Sequence, residues 1–107
     1  LVLTGATASV KGSAQCASFA AGKFAMRATG QSLAREFGPK GVHVAHAIID
    51  GGIDTPWGKE LGRVVNDGVK DGAISPDAIA DAYWYLHTQP RSTWTQEIDI
   101  RPFVEKW

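Results

Sequence analysis

Cysteine is almost absent from this chain, and its scarcity removes several kinds of chemistry at once. Cys16 stands alone among 107 residues, so no internal disulfide can form and no zinc site can be built from thiolates. A single thiol suits a reducing cytoplasm, the expected location, and is read as a packed side chain. Long apolar runs are missing too. None approaches the roughly 20 residues that cross a bilayer, and the first ten residues lack the charged-then-apolar profile of a signal peptide. The chain is therefore expected to be soluble, with no membrane partner. Neither sign of charge is in excess: eleven basic residues offset eleven acidic ones, which gives nucleic acid no electrostatic footprint. Repeats, low-complexity tracts and linker-like stretches are also lacking, so one domain over residues 1–107 is expected. An initial methionine is absent. The chain opens directly in the apolar run Leu1-Val2-Leu3, as if entering a buried strand, and is read as cut from something longer.

What is present has the balance of a globular domain, 44% apolar and 21% charged. Residues 1–4 are apolar and followed by Gly5, the pattern of a buried strand ending in a loop. From about Gln15 to Phe37 the chain is rich in alanine, with Leu33 and Phe37 at helical spacing, and a long helix is predicted there. Gly38-Pro39 stops it and Lys40-Gly41 turns the chain. Residues 42–49 are then β-branched and apolar, as in a second buried strand. Beyond Asp50-Gly51-Gly52, residues 53–72 form a polar, glycine-punctuated excursion with a short helical piece predicted over 60–65. Ser75-Pro76-Asp77 starts another helix: serine caps orphan amides, proline suits the first helical position, and aspartate complements the dipole. Ile79, Tyr83 and Leu86 follow at helical spacing. Residues 89–92 break that helix, and Trp94, Gln96, Ile98 and Ile100 alternate with polar partners as in a strand covered on one face. Strand, helix, strand, helix, strand predicts an α/β layered fold of three parallel strands and two main helices.

The pattern Thr4-Gly5-Ala6-Thr7-Ala8, then Gly12, then Phe19-Ala20-Ala21-Gly22-Lys23, then Leu33-Ala34-Arg35-Glu36 and Gly41-Val42-His43-Val44 resembles the second half of the short-chain dehydrogenase/reductases. The resemblance runs from Leu1 to Trp107 and implies a partial Rossmann-type fold, the C-terminal half of such a subunit. In that family a serine lies thirteen residues before a tyrosine, and the tyrosine four before a lysine on one long helix. Lys23 matches the lysine. Phe19 stands where the tyrosine belongs and Ala6 where the serine belongs, and Gly12 between them supports the register.

The loss can be weighed physically. Positions 19 and 23 are one helical turn apart, where an ammonium lowers the pKa of a phenol, but phenylalanine has no proton to give. A general acid contributes typically about 10²–10⁴ in rate, and a hydroxyl at the developing oxyanion about another 10²–10³. Little or no hydride-transfer activity is expected. Thr7, Ser9 and Ser18 are possible substitutes, although Ser18 lies about 100° round the helix from position 19 and an aliphatic hydroxyl is a far weaker acid than a phenol.

The resemblance further implies that Lys23 hydrogen-bonds a nicotinamide ribose; a partly solvated helical lysine is the alternative. Asp50-Gly51-Gly52-Ile53-Asp54-Thr55 sits where the family has a Pro-Gly loop ending in a threonine near the cofactor. This makes Ile53 and Thr55 cofactor-contact candidates, with a glycine-dependent tight turn as the alternative and Asp50 in place of the proline. No glycine-rich turn able to receive a pyrophosphate at a helix N-terminus occurs here, so NAD or NADP is expected to bind weakly. His43 and His46, three apart on a strand, are expected on opposite faces and not around a shared metal. His87 is read as complementing a helix C-terminus. The four tryptophans are read as core and interface material. A homo-oligomer is expected, because the first strand would be an exposed edge and the family pairs the long helix across a dimer axis. Two functions fit: an NAD(P)-linked oxidoreductase homologue, or a non-catalytic binding module on a retired dehydrogenase fold. The small-molecule substrate is unspecified by the sequence.

Overall fold

In the structure, a computed structural model describing residues 1–107, the five expected elements form in the expected order. The long alanine-rich stretch is helix α1, Ala17–Phe37, which begins two residues later than the sequence suggests, after Gln15 takes a left-handed φ of 63°. It ends where Gly38–Lys40 tighten into a 3-10 turn. Gly41, at φ 86°, then reverses the chain in a backbone region that side-chain-bearing residues rarely adopt. The strands are β1, Val2–Ala6, β2, Ala45–Ile49, and β3, Glu97–Ile100. All are shorter than or shifted from their apolar runs, because ladder pairing rather than hydrophobicity sets their ends. They form one parallel sheet in the order β1-β2-β3, with Val2 opposite Ala45 and His46 opposite Glu97. This is an α/β, partial Rossmann-like fold. No helix is long and apolar enough to cross a membrane.

Two expectations need correction. The first strand, expected to be buried, is buried only at Gly5, because no strand covers its outer edge. The short helix of the excursion is α2, Pro56–Glu60, not residues 60–65. Thr55 caps it by accepting the Gly58 N–H at 3.0 Å, and Pro56 occupies its first position. That cap and proline fix the start, and the chain turns at Leu61-Gly62, where Gly62 has φ 64°. Lys59 then reaches back to Asp54 at 2.8 Å. The second main helix, α3, spans Pro76–Thr88 and starts as read, with the Ser75 hydroxyl accepting the Ala78 N–H.

The two helices cover opposite faces of the sheet. Beneath α3 lies the apolar core: Ala47, Ile49 and Ile74 are buried, with Val2, Ile79, Tyr83, Ile98 and Ile100 against them. Beneath α1 the sheet presents Leu3, His46 and Glu97. A Cβ on Gly30 of α1 would stand 3.0 Å from Leu3 and 4.0 Å from His46, so that glycine lets helix and sheet approach. His46 is fully buried and its Nδ1 lies 3.0 Å from Glu97 Oε2. Arg27 donates to both oxygens of the same carboxylate, at 2.9 and 2.8 Å. The Arg27 hydrogen bonds hold the Glu97 carboxyl below its usual range; burial opposes the shift and the bond from His46 adds to it. Arg27 is correspondingly raised. With the carboxylate charged, His46 donates through Nδ1, leaving buried Nε2 without a partner. Nε2 faces Gly5, where an added Cβ would come within 2.1 Å of it.

Candidate functional site

Parallel α/β sheets carry their chemistry outside the carboxyl ends of the strands. At that end β1 delivers Ala6, a 3-10 turn over Thr7–Ser9 follows, β2 delivers Ile49 and Asp50, and the first turn of α1 supplies Phe19. These elements enclose a cleft of about 330 Å³ whose walls include Ala6, Thr7, Phe19, Ile49, Lys11 and Arg63. A larger hollow of about 470 Å³ lies among Gln31, His43, Trp94 and Gln96. It sits at the amino ends of β2 and β3, where His43 stacks on Trp94, and contains no carboxylate. The smaller cleft is the candidate.

Ala6 and Phe19 thus meet in one wall, as their spacing implies. Phe19 is 52% exposed. Lys23 sits one turn further along α1. Its Nζ is 5.8 Å from the centre of the Phe19 ring and donates to the Thr4 carbonyl at 2.9 Å. The ammonium therefore ties α1 to β1 and offers its field to a ring that cannot ionise. Lys23 borders the cleft without lining it. Ile53 and Thr55 lie apart from this wall. Ile53 forms a parallel bridge with Ile74, and the Thr55 oxygen is engaged in capping α2.

Of the three possible substitute hydroxyls, Ser9 has no exposed surface and accepts the Ala6 N–H at 3.1 Å, so it cannot meet a ligand. Ser18 is exposed on α1 and absent from the cleft. Thr7 does line the cleft, and its Oγ1 donates to Asp50 Oδ1 at 2.5 Å. Asp50 is only 2% exposed. Arg101 Nη1, itself buried without a hydrogen bond, stands 3.6 Å from the other Asp50 oxygen. Arg101 also pairs with Asp99 and lies over the Trp107 ring. The sequence offered Asp50 only as an unexpected residue in a loop; its partner lies 43 positions away, and no local pattern joins the two.

Comparison with solved structures places this geometry. The chain matches a short-chain dehydrogenase from Rhodopseudomonas palustris at 44% identity over 95% of its own length, with a TM-score of 0.70. This chain is related to the short-chain dehydrogenases. The closed form of a serine dehydrogenase complexed with NADP+ matches over 99% of the chain with a TM-score of 0.76; at 17% identity it supports the fold alone. The chain spans 37% of the first of these structures and 45% of the second. No family model matches it, and no curated protein does.

As a cofactor site the arrangement fits in part. Lys23 and Thr55 carry polar groups, but Lys23 is bonded to the Thr4 carbonyl, Thr55 is engaged in the α2 cap, and neither lines the cleft. The pyrophosphate end finds no cradle in these 107 residues, since α1 begins at Ala17 with no side-chain cap from Cys16 and no glycine-rich turn before it.

Proposed function

We propose that this chain is an NAD(P)-linked oxidoreductase homologue of the short-chain dehydrogenase type with little or no hydride-transfer activity as it stands. The observation that carries the reading is the pairing of Lys23 with Phe19. The ammonium that would acidify a phenol lies over a phenyl ring instead, while Ala6 contributes a methyl group where a hydroxyl would steady an oxyanion. Together the two losses amount to roughly 10⁴–10⁷ in rate. NAD or NADP, where bound, meets Lys23 and Thr55 with weak affinity. The second reading, a non-catalytic binding module, is favoured by the survival of the cleft itself.

The test is titration of the purified chain with NADH and NADPH, followed by nicotinamide fluorescence, with ketone turnover measured alongside a Phe19→Tyr, Ala6→Ser double variant. The expected result is weak or no binding and no turnover by the unmodified chain. Ketone-dependent oxidation of either nucleotide by that chain would overturn the reading.

Self-association belongs to the same proposal. Only Ala20 and Gly30 of the 21 residues of α1 are buried, Phe24 is 42% exposed, and the outer edge of β1 pairs with no strand. Uncovered edges and aromatic surface favour a second copy. Light scattering is expected to report a dimer or larger, and a clean monomer at high concentration would refute it.

A further inference from the structure

The larger hollow, about 470 Å³ at the amino ends of β2 and β3, has an aromatic wall that is fixed in place before any ligand arrives. His43 and Trp94 both line it, their rings parallel to within 5° and their centroids 4.7 Å apart. Each ring is tethered. The Thr95 carbonyl can only accept, so His43 Nε2, 2.7 Å away, carries a proton and donates it, while Trp94 Nε1 donates to the Gln89 carbonyl at 3.3 Å. Two anchored rings form a platform whose order need not be gained on binding, and lost freedom is a principal cost of holding a small molecule.

The permanent charge of the hollow is of one sign. Arg35, an exposed residue of α1, lines it with no carboxylate within ion-pair distance, and no Asp, Glu or Lys stands beside it in the wall. Its one hydrogen bond runs from Nη1 to the Gln31 carbonyl at 3.3 Å, which leaves the other N–H groups of a planar fork to meet an anion. Gln96 also lines the hollow, and its Nε2 is buried without a partner, so a second donor is unspent at the same wall. One guanidinium matches the single charge of a carboxylate better than the double charge of a phosphate, and anchored rings favour a flat unsaturated ligand over a saturated one. We propose that this hollow binds planar aromatic monocarboxylates, with Arg35 taking the carboxylate and the His43–Trp94 pair receiving the ring. Neither the cleft beside Phe19 nor a dinucleotide takes part.

The experiment titrates the ¹⁵N-labelled chain, without nucleotide, with 2-naphthoate, its uncharged isostere 2-naphthamide, the saturated acid decahydro-2-naphthoate and 2-naphthyl phosphate. 2-Naphthoate is expected to shift the amides of His43, Val44 and Gln96 and the indole N–H of Trp94 saturably. Its dissociation constant is expected to lie about fivefold or more below that of the amide and about threefold or more below that of the saturated acid. Arg35→Gln, at an exposed position where folding is not at stake, is expected to remove the preference over the amide. Equal affinities for 2-naphthoate and 2-naphthamide, a saturated acid bound as tightly, or a phosphate bound more tightly would overturn the proposal. So would a preference unchanged in Arg35→Gln, shifts confined to Ala6, Thr7 and Phe19, or no saturable shift at all. Ketone-dependent nucleotide oxidation in the preceding assay would refute the inactive reading while leaving this one standing, so the two failures are distinguishable.

Discussion

Under α3 the sheet presents Ala47, Ile49, Ile98 and Ile100; under α1 the same strands present His46 and Glu97. One face is held by apolar contact, which is insensitive to pH and direction but sensitive to volume. The other is held by the Arg27–Glu97 ion pair with His46 hydrogen-bonded to the same carboxylate, contacts that depend on charge and direction. The contrast suits the position of each face. The α3 side supplies cohesion in a chain that buries only 18 of its 107 residues. The α1 side fixes the helix carrying Phe19 and Lys23 in one register against β1, where Gly5 leaves just enough room for the His46 ring. A lysine bond to a backbone carbonyl and a bidentate arginine are directional in a way that aliphatic contact is not.

The largest effect should come from the apolar side. Leu86 of α3 is the bulkiest side chain with no exposed surface, so Leu86→Ala removes buried volume that a small core cannot refill. A loss of about 2–5 kcal/mol is expected, a large share of the ~5–15 kcal/mol typical of a domain. Urea unfolding followed by circular dichroism measures it, and the loss should be the same at pH 5 and pH 8. A loss below about 1 kcal/mol would mean that the α3 face is not where cohesion resides.

The same contrast explains what could be read from the sequence. The α3 face was legible because its signals are local: Ser75-Pro76-Asp77 marks a helix start, Ile79, Tyr83 and Leu86 recur at helical spacing, and Ile98 and Ile100 alternate along a strand. The capping pair Thr55-Pro56 is an equally local signal, and it outweighs the helix formers after Glu60 in setting where α2 lies. The α1 face was not legible. Arg27, His46 and Glu97 are separated by up to 70 positions, and each alone looks like a solvated charge or an isolated imidazole. The site divides similarly. Ala6, Phe19 and Lys23 follow from spacing along one segment, and two of them do meet in the cleft. The bond between Thr7 and Asp50 depends on β1 and β2 being neighbours, which no single stretch of sequence encodes.

A smaller effect, but a more discriminating one, is expected from Glu97→Gln. The substituted amide keeps the shape of the side chain and loses the charge that orders Arg27 and His46. Because Arg27 and Glu97 are both partly exposed, the loss near neutrality should be about 1–2 kcal/mol, at the low end for hydrogen bonds to charged groups. Its pH dependence has a definite sign. The folded Glu97 carboxyl titrates below its ordinary value of 4.5, so the unfolded chain takes up the proton first as acid is added. The contribution of Glu97 is fully present above pH 4.5, declines once the pH drops below it, and is gone below the folded value. The stability gap between the natural chain and Glu97→Gln should therefore close in acid, while the gap for Leu86→Ala persists wherever both proteins remain folded. A Glu97→Gln gap that stayed constant through that range would show the carboxylate's charge to be dispensable. The α1 face would then be held, like the α3 face, by shape alone.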